Sequence, residues 1–477
     1  MENYKSAINS HQRKAVEKQI KEEIQNKRYK IVSEKPRLVS ALGAIPKSDN
    51  KVRLILDASR PENVSLNAHA WHNPFSYQRI QDAVDIIEPG YFLAKVDLAA
   101  AYRSVKTHES NHVATGLKWT FSGDSEPTYM VDTRLPFGAK RSCEIFHDLG
   151  QAVRSMMSGY GYPSVINYLD DFLLIGESYG TCKTMLDTLL ALLRRLGFAI
   201  NYSKVEGPVQ RLPFLGIVLD TVAMTLELPH KKLSELKELL LNASVAKKLS
   251  KRKLQSLAGK LNWAAQCIQG GRTFMRRILD AIPPLRAPWH RTRITKDIRS
   301  DLLWWTTYME PFNGRTPMCD GRPVSPVWTD ACPVAARAVY NNRYLYTPFD
   351  SWDSASGLHI NYKDTLALEP AVRHWAKFWS NRRVIVYCDN QAAVGILNKG
   401  TCRDPVVMAA LRRISTSAAR FNFRLKAVYY PGRENIVADA VSRLHEPNGR
   451  KRLDTAIHHH LDMNCAIPVN EYPIFSV

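Results

Sequence analysis

Two adjacent carboxylates, Asp170 and Asp171, interrupt Ser164-Val165-Ile166-Asn167-Tyr168-Leu169-Asp170-Asp171-Phe172-Leu173-Leu174-Ile175, with apolar β-type runs on both sides and no Gly or Pro to make the turn. The pattern predicts a hairpin with negative charge at its tip. Asp is a favoured turn residue, so a plain polar turn is one reading. Two like charges side by side repel unless a cation neutralises them, and a divalent metal site is the other.

A third carboxylate decides between these readings. In Tyr91-Phe92-Leu93-Ala94-Lys95-Val96-Asp97-Leu98 an apolar β-type run ends in Asp97, and the chain continues as Ala99-Ala100-Ala101-Tyr102-Arg103-Ser104-Val105. Three carboxylates on two strands suit a pair of Mg²⁺ ions about 3.5–4 Å apart, the arrangement used for in-line displacement at phosphorus. Phosphoryl transfer on a nucleotide is the leading chemistry.

These blocks resemble a reverse transcriptase. Tyr168-Leu169-Asp170-Asp171 is similar to the Y-x-D-D hairpin of that family, and Asp97 stands where the family has its first metal-binding Asp, with Tyr102 five residues on. Leu135-Pro136-Phe137-Gly138 resembles the L-P-x-G segment under template and incoming nucleotide. Ile45 to Asp57, containing Lys47 and Arg53, resembles the fingers hairpin that grips the triphosphate. Asn201-Tyr202-Ser203-Lys204 and Pro213-Phe214-Leu215-Gly216 are similar to the next two blocks, in the family's order.

The resemblance implies roles for these residues. Asp97, Asp170 and Asp171 would hold Mg²⁺, with Mn²⁺ as a substitute, and Lys47 and Arg53 would neutralise the pyrophosphate, for which the Arg fork is suited. Tyr102 would pack on the sugar and exclude a 2′-hydroxyl, Phe137 would belong to the nucleotide platform, and Gly138 would allow close backbone approach to the nucleotide. Lys204 is implied as a proton donor to pyrophosphate. The implied partners are an RNA template, a DNA primer, deoxynucleoside triphosphates and an RNA–DNA hybrid; the oligomeric state is open.

A second acidic set follows. Val324 to Ala331 contains Asp330, Arg383 to Asn390 ends a β-type run in Asp389, and Asn435 to Arg443 places Asp439 near a helix start. Together they resemble a ribonuclease H module, a two-metal nuclease with four carboxylates. The family's helical Glu is replaced: Asn361-Tyr362-Lys363-Asp364-Thr365-Leu366-Ala367-Leu368-Glu369 puts Asp364 in that place. Glu369, five residues on, lies about 140° around a helix and is no simple substitute. Asp is one methylene shorter than Glu, which bears on rate because metal sites tolerate little displacement. Pro370 is expected to break the helix unless it falls in a first turn.

The remaining sequence agrees with a nucleic-acid enzyme. Lys and Arg number 66 against 45 Asp and Glu, a formal charge of +21, which suits a template–primer channel with salt-sensitive binding. The eight cysteines form no C-x-x-C pair and are expected to be reduced thiols of an intracellular protein, in cytoplasm or nucleus. No apolar run reaches the roughly 18–20 residues of a membrane span, and the first residues lack a signal-peptide core, so the chain is expected neither to be secreted nor to enter a membrane.

The expected fold class is an α+β right-hand polymerase with fingers, palm and helical thumb, followed by an α/β RNase H-like domain. Its expected divisions are a basic N-terminal arm over residues 1–35, fingers and palm over 36–228, a thumb over 229–310, a linker over 311–323, the RNase H-like domain over 324–446 and a polar tail over 447–477. Gln12 to Tyr29 is expected as a solvated helix or extended arm. Lys251, Arg252, Lys253 and Lys260 lie on a predicted thumb helix and would face duplex phosphates. The direct succession of thumb and nuclease, together with Trp328-Thr329-Asp330-Ala331 and the Asn435 to Arg443 stretch, most resembles DIRS-type retrotransposons, with a Gypsy-type element or a related pararetrovirus polymerase as the nearest alternative. The alternatives are a silent relic that only binds nucleic acid, and an RNA-directed RNA polymerase.

Overall fold

The computed structural model describes residues 2–47, 51–71, 73–341, 343–349, 357–432, 440–441, 444–460 and 467–468. They form two compact units, Met1–Met224 and Thr225–Val477.

In the first unit, helix α1 (Ser10–Gln25) precedes strand β1 (Tyr29–Ile31) and the hairpin β2 (Leu42–Pro46) and β3 (Val52–Leu56). Val16 and Ile20 of α1 are fully buried with Leu42, Leu54, Leu56, Trp119 and Met130. The expected solvated arm is therefore core: its apolar residues are few, but Val16 and Ile20 stand four apart on one helical face and have a sheet to cover.

Strand β4 (Phe92–Asp97) leads into the one-turn helix α2 (Ala101–Ser104), entered through Ala100 at φ 60°. Strands β5 (Gly116–Trp119) and β6 (Thr128–Asp132) pair with each other, and β1 pairs with β6. Helix α3 (Lys140–Gly159) follows, then β7 (Val165–Tyr168), β8 (Asp171–Gly176), helix α4 (Tyr179–Arg195) and β9 (Glu206–Val209). The central sheet has the order β7-β8-β4-β9 and is antiparallel throughout. Val96, Phe172 and Leu174 from the sheet pack with Phe146 and Val153 of α3 and Leu186, Leu189 and Leu193 of α4. Burying these side chains at roughly 25 cal/mol per Å² of apolar surface anchors the strand ends that carry the acidic residues.

In the second unit, α5 (His230–Val245), α6 (Lys251–Ala264) and α7 (Lys296–Phe312) bury Leu233, Leu236, Leu240, Leu254, Leu257, Leu261, Leu302 and Trp305. Arg315–Pro317, inside the expected linker, pairs as a strand with Thr225–Glu227. A mixed six-stranded sheet follows. It contains β10 (Val324–Ala331), β11 (Ala335–Tyr340), β12 (Arg343–Pro348), β13 (Arg383–Cys388), β14 (Arg424–Tyr429) and β15 (Ile467–Pro468), in the order β14-β13-β10-β11-β12-β15. Helices α8 (Ile360–Leu366), α9 (Leu368–Trp375), α10 (Gln391–Lys399) and α11 (Pro405–Arg420) belong to this part of the chain, and α12 (Gly449–His460) ends it.

Pro370 is the third residue of α9, where its missing N–H has no intrahelical partner to lose, and the helical stretch is divided at Ala367. The expected irregular tail differs: Leu453 and Ala456 of α12 are buried with Val339, Tyr344 and Val441. Two apolar residues three apart in a charged segment suffice to seat this helix. No helix among the described residues is long and apolar enough to cross a membrane.

Candidate functional site

The hairpin tip is built by strand register. Asp97 lies directly opposite Asp171 between β4 and β8, so both side chains project from the same face. Tyr168 is opposite Asp171 between β7 and β8, leaving Leu169-Asp170 as a two-residue turn. Leu169 has φ 55°, a left-handed conformation unfavourable for a branched residue by roughly 1–2 kcal/mol. The Leu98 N–H donates to the Asp170 carbonyl at 2.9 Å and locks the tip to β4. Such strain concentrates where geometry serves a site.

Two of the three carboxyls are held above their ordinary range. Burial, then the neighbouring charges of Asp170 and Asp97, pushes Asp171 up to about 6. Burial also raises Asp170. Lys204 Nζ donates to Asp97 Oδ2 at 2.9 Å, and Asn201 Nδ2 to Asp97 Oδ1 at 3.1 Å. The bond to Asp97 raises the Lys204 pKa.

A cavity of about 490 Å³ is lined by Asp97 and Asp170 together with Lys47, Arg53, Tyr102, Phe137 and Lys204. Ile45 is paired with Arg53 across the fingers hairpin, so Lys47, two residues on, shares the Arg53 face. Desolvation followed by repulsion from Arg53 and Lys204 lowers the Lys47 pKa. The Arg53 guanidinium lies 4.8 Å from the Phe137 ring centroid. Tyr102 meets Phe137 edge-on at 5.2 Å and Phe146 at 5.3 Å, and its hydroxyl reaches Cys143 Sγ at 3.3 Å. Oxygen donors on one side and cations on the other suit a hard divalent ion with a phosphate.

Gly138 is not among the residues lining this cavity. The close approach it permits is to the fingers: a Cβ there would stand 1.9 Å from the Leu56 carbonyl oxygen, at φ 114°. The Leu56 N–H also donates to the Phe137 carbonyl at 2.8 Å. Gly138 thus lets the chain pass close against β3, beside the Phe137 that lines the cavity.

The second acidic set is also brought together. Asp330 on β10, Asp364 on α8 and Asp389 after β13 place carboxylate oxygens within 4.8 Å of one another. Asp364 is 3% exposed; its Oδ1 accepts from the Ala331 amide at 3.0 Å and its Oδ2 from Asn390 Nδ2 at 2.8 Å. Burial, with Asp389 adding to it, pushes Asp364 up to about 6. Arg337, opposite Asp330 in β11, brings its guanidinium 3.5 Å from Asp330 Oδ2. Glu369 lies apart from this set, in a bidentate pair with Arg413. Asp439 lies outside the described residues.

Sequence reasoning missed Asn390 and Arg337. Asn390 Oδ1 caps α10 by accepting from the Ala392 and Ala393 amides, while its Nδ2 holds Asp364 and Asn361. Its place between Asp389 and a helix start was the available signal. On α6, Lys251 Nζ donates to the Leu285 carbonyl at 2.6 Å and Lys260 is 3.8 Å from Glu235; Arg252 and Lys253 are exposed. The Lys251 ammonium thus ties the start of α6 to the Leu285 carbonyl. The seven described cysteines are free thiols.

Comparison with known proteins agrees with this geometry. Residues 45–219 match the family described as reverse transcriptase (RNA-dependent DNA polymerase). The Transposon Tf2-3 polyprotein of Schizosaccharomyces pombe is 21% identical over 420 residues, 84% of this chain and 28% of the polyprotein. The Gag-Pol polyprotein of avian reticuloendotheliosis virus is 23% identical over 122 residues, 25% of this chain and 11% of its own length. The chain thus spans little more than a quarter of such relatives at most. Among solved structures, the foamy viral protease-reverse transcriptase in complex with RNA/DNA hybrid aligns with TM-score 0.56 and 14% identity, over 90% of this chain and 54% of that one. The same enzyme in complex with dsDNA aligns with TM-score 0.54 and 16% identity, over 90% and 84%. The fold is accordingly a polymerase fold followed by an RNase H-like domain. Residues 45–219 make up a reverse transcriptase domain of the kind found in retrotransposon and retroviral polyproteins.

Proposed function

We propose that this chain synthesises DNA on an RNA template by two-metal phosphoryl transfer and cleaves the RNA of the resulting hybrid at its second acidic site. The observation carrying the first part is the register that sets Asp97 against Asp171, with Asp170 at the turn, and the cavity that Asp97 and Asp170 line together with Lys47, Arg53 and Tyr102. Asp97, Asp170 and Asp171 would hold Mg²⁺ or Mn²⁺. When bound, these ions supply Lewis acidity to the primer hydroxyl and neutralise phosphate charge. Lys47 and Arg53 bind the triphosphate by charge-assisted hydrogen bonds. Tyr102, stacked edge-on against Phe137, closes the space beside the sugar and selects deoxynucleotides.

The second part draws support from Asp330, Asp364 and Asp389, which offer the hard oxygen ligands that Mg²⁺ prefers. Asp364 acts in the helical position despite its shorter side chain, because the Ala331 amide and Asn390 hold both its oxygens. Asp439 would complete the set. Partners on this reading are an RNA template, a DNA primer and their hybrid. Within retrotransposons we assign the chain to the DIRS type, on Trp328-Thr329-Asp330-Ala331 and the close succession of helical and nuclease segments.

The test is extension of a DNA primer on RNA with each nucleotide class, beside Asp170→Asn. Incorporation of deoxynucleotides by the parent alone supports the proposal. Preference for ribonucleotides would make it an RNA polymerase, and duplex binding without extension would make it a binding-only relic.

A further inference from the structure

The nucleotide cavity has a wall outside the motif blocks. Gln19 and Glu23 of α1, and Arg28 after it, line the same cavity as Asp97 and Tyr102, although they precede residues 45–219 matched by the reverse transcriptase family. Arg103, the neighbour of Tyr102, makes the connection. Its Nε and Nη2 donate to Glu23 Oε2 at 3.1 and 2.7 Å, and its Nη1 donates to Asp132 Oδ2 at 2.6 Å and to the Leu135 carbonyl at 3.3 Å. Arg103 is 7% exposed, and both carboxylate residues are buried.

One guanidinium therefore grips α1, the end of β6 and the first residue of the Leu135-Pro136-Phe137-Gly138 segment. Its partners are themselves held: Glu23 Oε1 accepts from Gln19 at 3.1 Å, and Asp132 Oδ1 accepts from the Arg134 amide at 3.0 Å. The grips fall one residue from Tyr102 and two from Phe137, the two rings in edge contact. Helix α2 has four residues and enters through the left-handed Ala100, so it has little rigidity of its own. A buried ion network is costly to desolvate and weak evidence for stability, with geometric specificity as its better-attested use.

We propose that Arg103, held by Glu23 and Asp132, is a positioning residue for nucleotide selection. It fixes the Tyr102–Phe137 wall against the sugar of a deoxynucleoside triphosphate, and it makes the N-terminal helix part of the pocket. This rests on the reading of the cavity as the nucleotide site.

The test uses the full chain on an RNA template with a dideoxy-terminated DNA primer, so that nucleotide binding is measured without chemistry. Binding of dATP and of ATP opposite a template U is compared for the parent, Glu23→Gln, Arg103→Lys and Arg103→Met, with thermal unfolding recorded on each. Glu23→Gln is expected to reduce the preference for dATP by roughly ten-fold, since small misplacements of a reacting group's surroundings have effects of this order. Arg103→Lys should retain part of the preference that Arg103→Met loses. With an extendable primer, KM for dATP should rise while kcat stays within about two-fold.

An unchanged preference in folded Glu23→Gln and Arg103→Lys, even with lowered melting temperatures, would reduce the network to a structural role and overturn the proposal. If Arg103→Met does not fold, Glu23→Gln carries the test by exchanging a carboxylate for an amide of the same shape. A parent that prefers dATP in binding but extends no primer would defeat the polymerase reading and leave the positioning role to be judged on binding. A parent with no preference between dATP and ATP would overturn the positioning role.

Discussion

Asp97 and Asp171 stand on neighbouring antiparallel strands, with Asp170 in the turn between β7 and β8, whereas Asp330, Asp364 and Asp389 come from a strand, a helix and the end of a second strand. Burial pushes one carboxyl of each set up to about 6. The surroundings then diverge. In the first set Lys204 is bonded to Asp97, and Lys47 and Arg53 line the cavity that Asp97 and Asp170 share. The second is braced from within by Asn390, the Ala331 amide and Arg337. On the proposed reading, the site for a triphosphate has cationic side chains in its lining, and the site for a strand of a duplex has its carboxylates fixed by neighbours.

The contrast can be broken in several ways. The largest effect is expected from Arg53→Ala. Losing a charge-assisted contact of about 1.5–3 kcal/mol should lower kcat/KM for deoxynucleotides roughly ten- to hundred-fold and leave RNA cleavage unchanged; steady-state incorporation and cleavage assays check both. Leu453→Ala should destabilise the C-terminal unit by about 2–4 kcal/mol, because it empties a fully packed site under the sheet. Calorimetry should show the change there, with polymerisation intact below the transition.

A pH experiment sharpens the comparison of charge. Asp364 has a folded pKa of about 6, above the ordinary unfolded value of roughly 3.9. The folded state therefore binds the extra proton between those values, and this stabilising contribution is present at low pH and lost as pH rises through about 6. In metal-free buffer the parent should lose on the order of 1–3 kcal/mol of stability between pH 3 and pH 7.5 that Asp364→Asn does not lose, whatever the cost of the lost acceptor at either pH. Mg²⁺ should stabilise the parent more than the variant, because a cation favours the ionised carboxylates. Melting temperatures with and without metal at the two pH values check this. The smallest effect is expected from Asp364→Glu, a change of a few-fold in cleavage rate as the ligand shifts by one methylene.

How much was legible depended on whether a residue's role followed from its own neighbourhood. Asp97, Asp170 and Asp171 were readable because each lies at the end of a β-type run, and pairing such runs fixes which side chains share a face. Pro370 was readable because a proline has few places in a helix. The helix α1 was misread as solvated because its apolar stripe is narrow and the strands it covers lie beyond it in sequence. The contact of Gly138 with β3 was not foreseen, since only the fold brings the Leu56 carbonyl against it. Arg103 carried no signal: an arginine beside Tyr102 reads as surface until Glu23 and Asp132, which are 80 and 29 residues away, are brought to it.

The most direct test of two separate acidic centres is one reaction read twice. A DNA primer is extended on an end-labelled RNA template with Mg²⁺ and deoxynucleotides, and the lengths of both strands are followed for the parent, Asp170→Asn and Asp389→Asn. Asp170→Asn is expected to make no DNA yet shorten the RNA of a preformed hybrid, while Asp389→Asn makes full-length DNA and leaves the RNA whole. RNA shortening that persists in Asp389→Asn, or DNA synthesis that persists in Asp170→Asn, would contradict the assignment of two separate centres.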